Sequence, residues 1–411
     1  GSLVEPLALR YHGHQFRNYN PDIGDGRGFL FAQLRDGRGR LLDLGTKGSG
    51  QTPWSRFGDG RLTLKGGVRE VLATEMLEAL GVNTSKTFSL IETGEQLHRG
   101  DEPSPTRSAV MVRLSHSHLR IGTFQRLAYL RDAANMARLV DYCLTELYDE
   151  RPGDDQCGRL MALVVPRAAK LAASYMAAGF VHGVLNTDNI NITLESFDYG
   201  PWRFAKSWDP NFTAAYFDHQ GLYSFGRQAQ AIHWNVVQLA IALRTLAEAE
   251  ALAPAIDTFA AEFETALRDA IFARLGIVPL GDEADLALLG AIEAGLNDEG
   301  AVNAGTTIDR FFFDWRGGRL RDRSNRRYDH DAFAPFAMSI GGFAAASGTS
   351  HPYWSDPAPC SMHIEEVEAI WADIAERDDW SAFNAKITAI RRMGEAMDEA
   401  VTIAPDARVP Q

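Results

Sequence analysis

The pattern of apolar positions divides the chain into two parts of different character. Up to about residue 125, short apolar runs alternate with glycine-rich turn signals, which is typical of strands joined by tight turns. Beyond that point, apolar residues recur at intervals of three and four over long stretches, which indicates amphipathic helices. The pattern predicts an α+β protein with a β-rich N-terminal part, residues 1–125, and a mostly helical C-terminal part, residues 126–411.

The N-terminal part is expected to hold a hairpin, two further strands and one prominent helix. The hairpin turns at Asp36-Gly37, because this dipeptide between two apolar runs is a strong turn signal. The helix covers residues 66–81 and ends at Gly81, which is a natural stop signal. The strands are expected over residues 28–36, 37–48, 86–93 and 108–115.

The C-terminal part is expected to be mostly helical, without an internal repeat or a low-complexity segment. Each predicted helix has apolar residues along one face. The predicted helices cover residues 126–150, 158–178, 225–250, 256–275, 283–296, 305–316, 363–376 and 380–402.

Composition narrows the class of protein without identifying it. The 411 residues are 45% hydrophobic and 23% charged, as in ordinary globular proteins. The net charge of −13 argues against nucleic acid as the main partner, because nucleic-acid-binding surfaces are basic. No window approaches the roughly 20 apolar residues of a membrane-spanning helix, so no membrane partner is expected. No signal peptide is expected at the start of the chain.

Three well-separated cysteines, Cys143, Cys157 and Cys360, form no C-x-x-C pair. This usage is typical of a reducing compartment and predicts no zinc site. We expect three structural or surface thiols, with a redox role for one pair as the alternative.

The stretch "FVHGVLNTDNINIT", residues 180–193, nearly fits the catalytic loop of protein kinases, H-R-D-L-x-x-x-N. His182 and Asn189 are in frame, but the position of the catalytic aspartate is Val184, which cannot accept a proton. Asp188 is the nearest carboxylate that could replace the missing base. A turn-stabilising aspartate would suit the same position, and spacing alone does not decide between the two.

Asp198 follows Asn189 by nine residues and begins "DYG", where kinases carry the metal-binding Asp-Phe-Gly. Asn189 and Asp198 offer oxygen ligands of the kind that Mg²⁺ prefers. Two unrelated polar turns are the alternative. The order of the motifs after a predicted helix favours a metal site.

Lys47 ends a predicted strand, and Glu70 lies on the apolar face of the predicted helix. A buried carboxylate needs a cationic partner, and Lys47 is the candidate. A partly solvated Glu70 near the helix start, favoured by the helix dipole, is the alternative.

Several further residues could contact a nucleotide. Gly24 and Gly26 would allow a backbone to approach phosphate oxygens, and Arg27 could pair with them, although a hairpin turn explains the same glycines. Asp59-Gly60 is a turn that could meet a ligand.

Two arginines lie at the expected junction of the two parts of the chain. Arg113 and Arg120 could bind a phosphate group there. Solvated surface arginines are the alternative, and spacing does not place either residue at a ligand.

In this order, the motifs resemble the selenoprotein O family of pseudokinases. The resemblance covers residues 11 to about 245. It implies a protein-kinase-like bilobal fold and the transfer of AMP from ATP, bound in a flipped orientation, to serine, threonine or tyrosine hydroxyls of proteins. The matching stretches are "YHGHQFRNYNPDIGDGRG", "KGSGQTPWSRFGDGRLTLKGGVRE", "VRLSHSHLRIGTF", "GFVHGVLNTDNINI", "FDYGPW" and "QAIHWNVVQLA".

The resemblance also implies roles for individual residues. Asp188 matches the proton acceptor, since a base at position 184 would not face a flipped nucleotide. Asn189 and Asp198 match ligands of Mg²⁺ or Mn²⁺, and Glu70 matches the partner of the strand lysine. The matching nucleotide contacts are Gly24, Gly26, Arg27, Lys47, Asp59, Gly60, Arg113 and Arg120.

The expected partners are ATP and protein substrates, with the chain itself as one candidate substrate. A bacterial member is expected in the cytoplasm and a eukaryotic one in mitochondria. A kinase that transfers the γ-phosphate is one alternative function, against which Val184 argues. A nucleotide-binding scaffold is the other. Many family members end in a shared C-terminal segment, and we recognise neither it nor a cysteine near the C-terminus here.

Overall fold

The computed structural model of the chain describes residues 2–100, 102–151, 153–346 and 349–398. It contains a mostly antiparallel sheet in the first part of the chain and helices in the second, so the protein is of the α+β class. This agrees with the α+β class predicted from the apolar pattern.

One six-stranded antiparallel sheet dominates the N-terminal part. Its strands run in the order β1-β4-β5-β8-β6, and β7 also pairs with β8. Two separate hairpins accompany it, β2 with β3 and β9 with β10. The strands are β1 (Ser2–Leu7), β2 (Arg10–Gln15), β3 (Asn18–Gly24), β4 (Leu30–Arg35), β5 (Leu41–Lys47), β6 (Leu62–Thr63), β7 (Lys86–Leu97), β8 (Thr106–Ser115), β9 (Phe180–His182) and β10 (Trp202–Phe204).

The predicted hairpin is confirmed as β4 and β5, although its turn is longer than the Asp-Gly dipeptide alone implies. The Asp36 carboxylate accepts hydrogen bonds from the backbone N–H groups of Arg38 and Arg40, at 2.9 and 3.0 Å. Side-chain capping of this kind stabilises a turn that two residues alone would not span. The strands predicted at residues 86–93 and 108–115 correspond to β7 and β8.

Most of the helices lie in the second part of the sequence, and one lies between strands β6 and β7 of the sheet. Residues 143–147 form a short π-helical turn. The α-helices are α1 (Leu64–Ala79), α2 (Ile121–Tyr129), α3 (Ala133–Tyr142), α4 (Gln156–Ala178), α5 (Gln228–Leu243), α6 (Ala249–Asp257), α7 (Phe259–Leu275), α8 (Asp282–Asn297), α9 (Glu299–Asn303), α10 (Ile308–Asp314), α11 (Ala334–Ile340), α12 (Ile364–Arg377) and α13 (Ser381–Asp398).

Helix α1 confirms the predicted helix within two residues at each end. The Thr63 side chain accepts a hydrogen bond from the Gly66 N–H and caps its start. Gly81 follows its end with φ +79°, a left-handed conformation that glycine adopts without strain. Glu70 is buried on this helix, as its position on the apolar face predicted.

The continuous helix predicted for residues 126–150 was wrong. The chain forms α2 and α3 instead, with Arg131 in a left-handed conformation between them. The Asp132 carboxylate accepts a hydrogen bond from the Asn135 N–H, which starts a new helix in place of continuing the first. The end of the last predicted helix, residues 399–402, lies outside the described residues.

Helix α4 is the central helix of the larger apolar core, which also includes residues of α1, α2 and α13. By length and composition alone it could cross a membrane, contrary to the expectation from sequence. Its most apolar window is 67% buried inside the protein. An apolar surface of this kind is what a core helix needs in order to pack on all sides.

The packing of α1 predicts a large stability effect at Leu72, which is fully buried. Leu72→Ala should lower the free energy of unfolding by about 2–5 kcal/mol, because it leaves a cavity in the core. Phe88→Ala is the control, since Phe88 is 68% exposed on β7 and its loss should change the free energy by less than about 0.5 kcal/mol. Urea unfolding measures both. Equal effects would contradict this account of the core.

Candidate functional site

A cavity of about 670 Å³ opens between the glycine-rich turn after β3, the end of β5 and the loop before β6. Glu70, Asp188 and Asn189 do not line it but lie behind or beside it. Asp198, predicted as a metal ligand, lines the cavity together with all eight residues that match nucleotide contacts, namely Gly24, Gly26, Arg27, Lys47, Asp59, Gly60, Arg113 and Arg120.

The cavity is basic, although the protein as a whole carries a net charge of −13. Seven lysine or arginine residues line it, against three aspartates. An excess of cations in a concave site attracts a polyanionic ligand such as a nucleoside triphosphate. The cations are Arg27, Lys47, Arg56, Arg61, Arg99, Arg113 and Arg120, and the aspartates are Asp25, Asp59 and Asp198.

Lys47 is the centre of a buried ion-pair cluster at the inner end of the cavity. Its Nζ donates to the Glu70 carboxylate and, at 2.7 Å, to Asp198 Oδ1. The side chains of Lys47 and Glu70 are 5% and 1% exposed. Charges removed from water to this extent need each other, because either one alone would carry the full penalty of desolvation. The predicted Lys47–Glu70 pair is therefore present.

Arg113, on β8, balances the charge of this cluster. Its Nη1 lies 3.5 Å from both Glu70 Oε1 and Asp198 Oδ1, so two cations face two carboxylates. Burial alone would raise the pKa of Asp198. The Lys47 ammonium, followed by the guanidinium groups of Arg113 and Arg120, outweighs burial and holds that pKa well below its usual range. Asp198 is therefore an anion at neutral pH.

The backbone around Asp198 is fixed by His182. Asp198 has φ +63°, a left-handed conformation that is uncommon outside glycine and marks functional sites when it persists. Buried His182, on β9, places its Nε2 3.2 Å from the carbonyl oxygen of Phe197, the preceding residue. His182, at the position of the kinase histidine, thus holds the segment that carries the Asp198 carboxylate.

Arg120 joins the glycine-rich turn to the loop of residues 183–189, which follows β9. Its Nη1 donates to the Tyr11 hydroxyl at 2.8 Å and to the Asp188 main-chain carbonyl at 3.0 Å, and its Nη2 donates to Asp25 Oδ1 at 2.9 Å. Sequence reasoning missed Tyr11 and Asp25. The aspartate inside "GDGRG" was the available signal for Asp25, while nothing local marks Tyr11.

Asp188 lies in a helical turn over residues 187–189 and is almost fully buried. Its Oδ1 has no hydrogen-bond partner among the described residues. Burial raises the pKa of Asp188 to about 6, an effect that Arg120 partly opposes. A carboxylate with a pKa of this kind can take up a proton near neutral pH, as a general base must.

The β2–β3 hairpin holds the loop that carries Asp188 in place. The His14 N–H donates to Thr187 Oγ1 at 2.7 Å, and the Phe16 N–H donates to Asn186 Oδ1 at 2.9 Å. Gly13 faces Asp188 so closely that a Cβ at residue 13 would lie 2.7 Å from Asp188 Oδ1. The hairpin therefore buries Asp188 and sets the pKa of its carboxyl group.

The glycines of the turn pack against the loop before β6. A Cβ at Gly24 would lie 2.6 Å from the Trp54 ring. The side chains of Thr52 and Ser55 donate to the carbonyl oxygens of Asp25 and Gly26. These contacts require small residues whether or not a phosphate is bound, so phosphate binding by Gly24 and Gly26 stays a prediction.

The remaining cavity residues differ in how they are held. The Arg27 side chain is exposed and makes no hydrogen bond or ion pair within the described part of the chain. Asp59 pairs with both terminal nitrogens of Arg99, at 2.8 and 3.1 Å. Gly60 has φ +72°, and a Cβ there would lie 2.2 Å from the Gly50 carbonyl carbon. Arg27 is thus available to a ligand, while Asp59 and Gly60 shape the rim.

Asn189 and Asp198 suit a hard divalent cation by the chemistry of their donor atoms. The Asn189 Nδ2 donates to the Val184 carbonyl oxygen at 3.1 Å, which leaves its Oδ1 for another partner. The Asp198 side chain is 25% exposed and can offer a carboxylate oxygen. The described residues contain no group of three or more His, Cys, Asp or Glu that could hold a metal. A cation here would need phosphate oxygens as further ligands.

Comparison with known proteins assigns the family. The family model described as "Protein adenylyltransferase SelO" matches residues 2–303. The chain belongs to the SelO family. It resembles relatives named protein nucleotidyltransferase YdiU, and is 53% identical to that of Synechocystis over 284 residues, which is 68% of this chain and 60% of the relative. It is 44% identical to that of Gloeobacter violaceus over 409 residues, 94% and 82% of the two chains.

A third SelO relative, protein nucleotidyltransferase YdiU of Trichodesmium erythraeum, is 50% identical over 400 residues, 92% of this chain and 83% of its own. The family predicted from the motifs is therefore confirmed. The alignment to the Synechocystis relative spans less than two thirds of that protein. The three relatives are bacterial.

The raised pKa of Asp188 predicts a pH-dependent stability. The folded SelO chain binds this proton more tightly than the unfolded chain, whose aspartates have a pKa of about 3.9. This tighter proton binding stabilises the folded state fully below pH 4, and the stabilisation is lost as the pH rises through 6. Relative to Asp188→Asn, the wild-type free energy of unfolding should fall by up to about 3 kcal/mol between pH 4 and pH 8. Urea unfolding at both pH values tests this, and a constant difference would contradict it.

Proposed function

We propose that this chain is a protein adenylyltransferase that transfers AMP from ATP to hydroxyl groups of proteins. The observation that carries the proposal is a basic cavity that ends at the buried Lys47–Glu70–Asp198 cluster. The carboxylate available as a base is Asp188, whereas residue 184, the position of the kinase base, is a valine. Val184 has no ionisable group, so a phosphoryl transfer that uses a base at that position is not supported.

The arrangement of these elements supports a protein-kinase-like bilobal fold, with residues 1–125 as the N lobe and residues 126–411 as the C lobe. A lysine on β5 meets a glutamate on α1, and the loop between β9 and β10 carries the catalytic and metal-binding motifs. Kinases assemble their phosphate site from the same parts.

ATP would bind with its terminal phosphates at the inner end of the cavity. Lys47 and Arg113 lie there, at 5% and 7% side-chain exposure, with Arg120 beside them. The Nε atoms of Arg113 and Arg120 are buried without a hydrogen-bond partner among the described residues, so these arginines have donors left. Gly24, Gly26, Arg27, Asp59 and Gly60 would contact the rest of the nucleotide. This orientation is flipped relative to kinases and brings the α-phosphate towards Asp188.

Mg²⁺ or Mn²⁺ would be held by Asn189 and Asp198 and would supply charge neutralisation at the phosphates. The low pKa of Asp198 keeps its carboxylate ionised for this role. Lys47, Arg113 and Arg120 would hold the pyrophosphate with side-chain donors that are already in place at the inner end of the cavity.

Asp188 would take the proton of the acceptor hydroxyl. The hydroxyl oxygen then forms a bond to the α-phosphorus, and the bond between that phosphorus and pyrophosphate breaks. The pKa of about 6 leaves Asp188 ionised before the step yet basic enough to help it. The products are AMP-protein and pyrophosphate, which leaves on the side of the buried cations.

The acceptors would be serine, threonine or tyrosine residues of proteins, including this chain as a candidate substrate. A cytoplasmic location fits the three cysteines, which are all free.

The test uses ATP labelled on either the α- or the γ-phosphate, with Mg²⁺ or Mn²⁺ and a protein mixture. Label from the α-phosphate alone should enter protein. Asp198→Ala should abolish the transfer, because both the metal ligand and the partner of Lys47 are lost. Asp257→Ala, at an exposed position at the end of α6 and outside the cavity lining, is the matched control and should transfer normally.

Label from the γ-phosphate alone would replace this proposal with a kinase whose base is elsewhere. ATP binding without label in protein would indicate a scaffold instead. Transfer of AMP that survives Asp198→Ala would remove Asp198 from the site.

A further inference from the structure

The C-terminal helix α13 packs against the face of α1 that points away from Glu70. Ala79 follows Glu70 by nine residues, and at 100° per residue it lies on the opposite side of the helix. Gly394 of α13 approaches it closely, since a Cβ at residue 394 would lie 3.4 Å from the Ala79 Cβ. Helix α1 is therefore enclosed by Lys47 on one side and by α13 on the other.

Ion pairs span this contact. Arg391 makes a two-armed pair with Glu75, at 2.8 and 2.7 Å. Glu368 of α12 accepts a hydrogen bond from Lys65 Nζ at 2.7 Å. Lys65 and Glu75 each lie five residues from Glu70, within about 40° of the direction opposite to it.

Helix α12 is also tied to the sheet. Arg107 on β8 donates from Nη1 to the Ile374 carbonyl oxygen at 2.9 Å and from Nη2 to Asp378 Oδ1 at 2.8 Å. The same strand carries Arg113 of the buried cluster. The two C-terminal helices α12 and α13 thus connect α1 with β8. Both helices lie outside residues 2–303, which the family model matches.

We propose that α12 and α13 form a brace that positions Glu70 against Lys47, with Gly394 and Arg391 as positioning residues. The proposal rests on the proposed function for its link to activity. Any increase in the separation of α1 from β5 lengthens the Glu70–Lys47 pair and misplaces the ammonium group. A displacement of about 1 Å at such a site can lower a rate by about two orders of magnitude.

The test enlarges residue 394. Gly394→Leu should push α13 and α1 apart, lower kcat for AMP transfer about tenfold or more and raise the KM for ATP. Gly394→Ala should keep wild-type values, because its Cβ meets only ordinary contact distance. Gly290→Leu is the matched control, since nothing lies within 4 Å of a Cβ at residue 290 of α8. A variant that merely unfolds in part would lower the apparent kcat and leave the KM unchanged.

A double-mutant cycle with Glu70→Gln identifies the route of the effect. If the brace acts through Glu70, Gly394→Leu should cause little further loss in the Glu70→Gln background. A full additional loss there, or wild-type activity in Gly394→Leu, would overturn the proposal.

ATP affinity separates this proposal from the proposed function. Calorimetric titration with ATP and Mg²⁺ should show weaker binding to Gly394→Leu than to wild type and to Gly290→Leu. If the wild type transfers no AMP, the proposed function fails, and this titration still tests the brace. Equal affinity in all three proteins would then overturn it.

Discussion

The arrangement of the site depends on a cluster of four charges, of which three are almost excluded from water and the fourth, Asp198, is 25% exposed. Lys47 and Arg113 face Glu70 and Asp198, so each charge has opposite charges beside it that offset the cost of removing it from water. The cluster draws on β5, β8, α1 and the loop after β9, so it fixes the relative positions of four elements that are far apart in the sequence. It also explains the low pKa of Asp198 and the cationic wall of the cavity.

Much of the surrounding structure holds these charges and the neighbouring Asp188 in place. Arg120 links the glycine-rich turn to the main chain of Asp188, and the β2–β3 hairpin covers the same loop. The hairpin keeps Asp188 out of water and so raises its pKa, while the cations lower that of Asp198. The pKa values of the Asp188 and Asp198 carboxyl groups are thus shifted in opposite directions. Asp188 is thereby suited to proton transfer and Asp198 to binding a cation.

The sequence predicted those features that depend on local pattern. The turn at Asp36 and the helix that carries Glu70 are both set by residues within a few positions of one another. The Glu70–Lys47 pair could be predicted because a lone carboxylate on an apolar helix face needs a cation, and one strand offered it.

Features that depend on distant pairing could not be predicted. Tyr11 meets Arg120 across more than one hundred residues, and no local pattern distinguishes an arginine that binds phosphate from one that joins two loops. The same holds for Arg391 and Glu75, which are 316 residues apart in the chain. Asp132 is a local signal for the start of a new helix, but the apolar pattern over residues 126–150 favoured one continuous helix.

The most direct test of this account is a double-mutant cycle on Lys47 and Glu70, measured as kcat/KM for AMP transfer. Lys47→Met and Glu70→Gln should each lower it by about 100-fold or more, and the double variant should be no worse than the poorer single one, because the two residues act as a unit. The exposed pair Arg244 and Glu248 provides the control, with neither Arg244→Met nor Glu248→Gln changing the rate. Losses that multiply, or full activity in Glu70→Gln, would contradict the claim that the buried cluster organises the site.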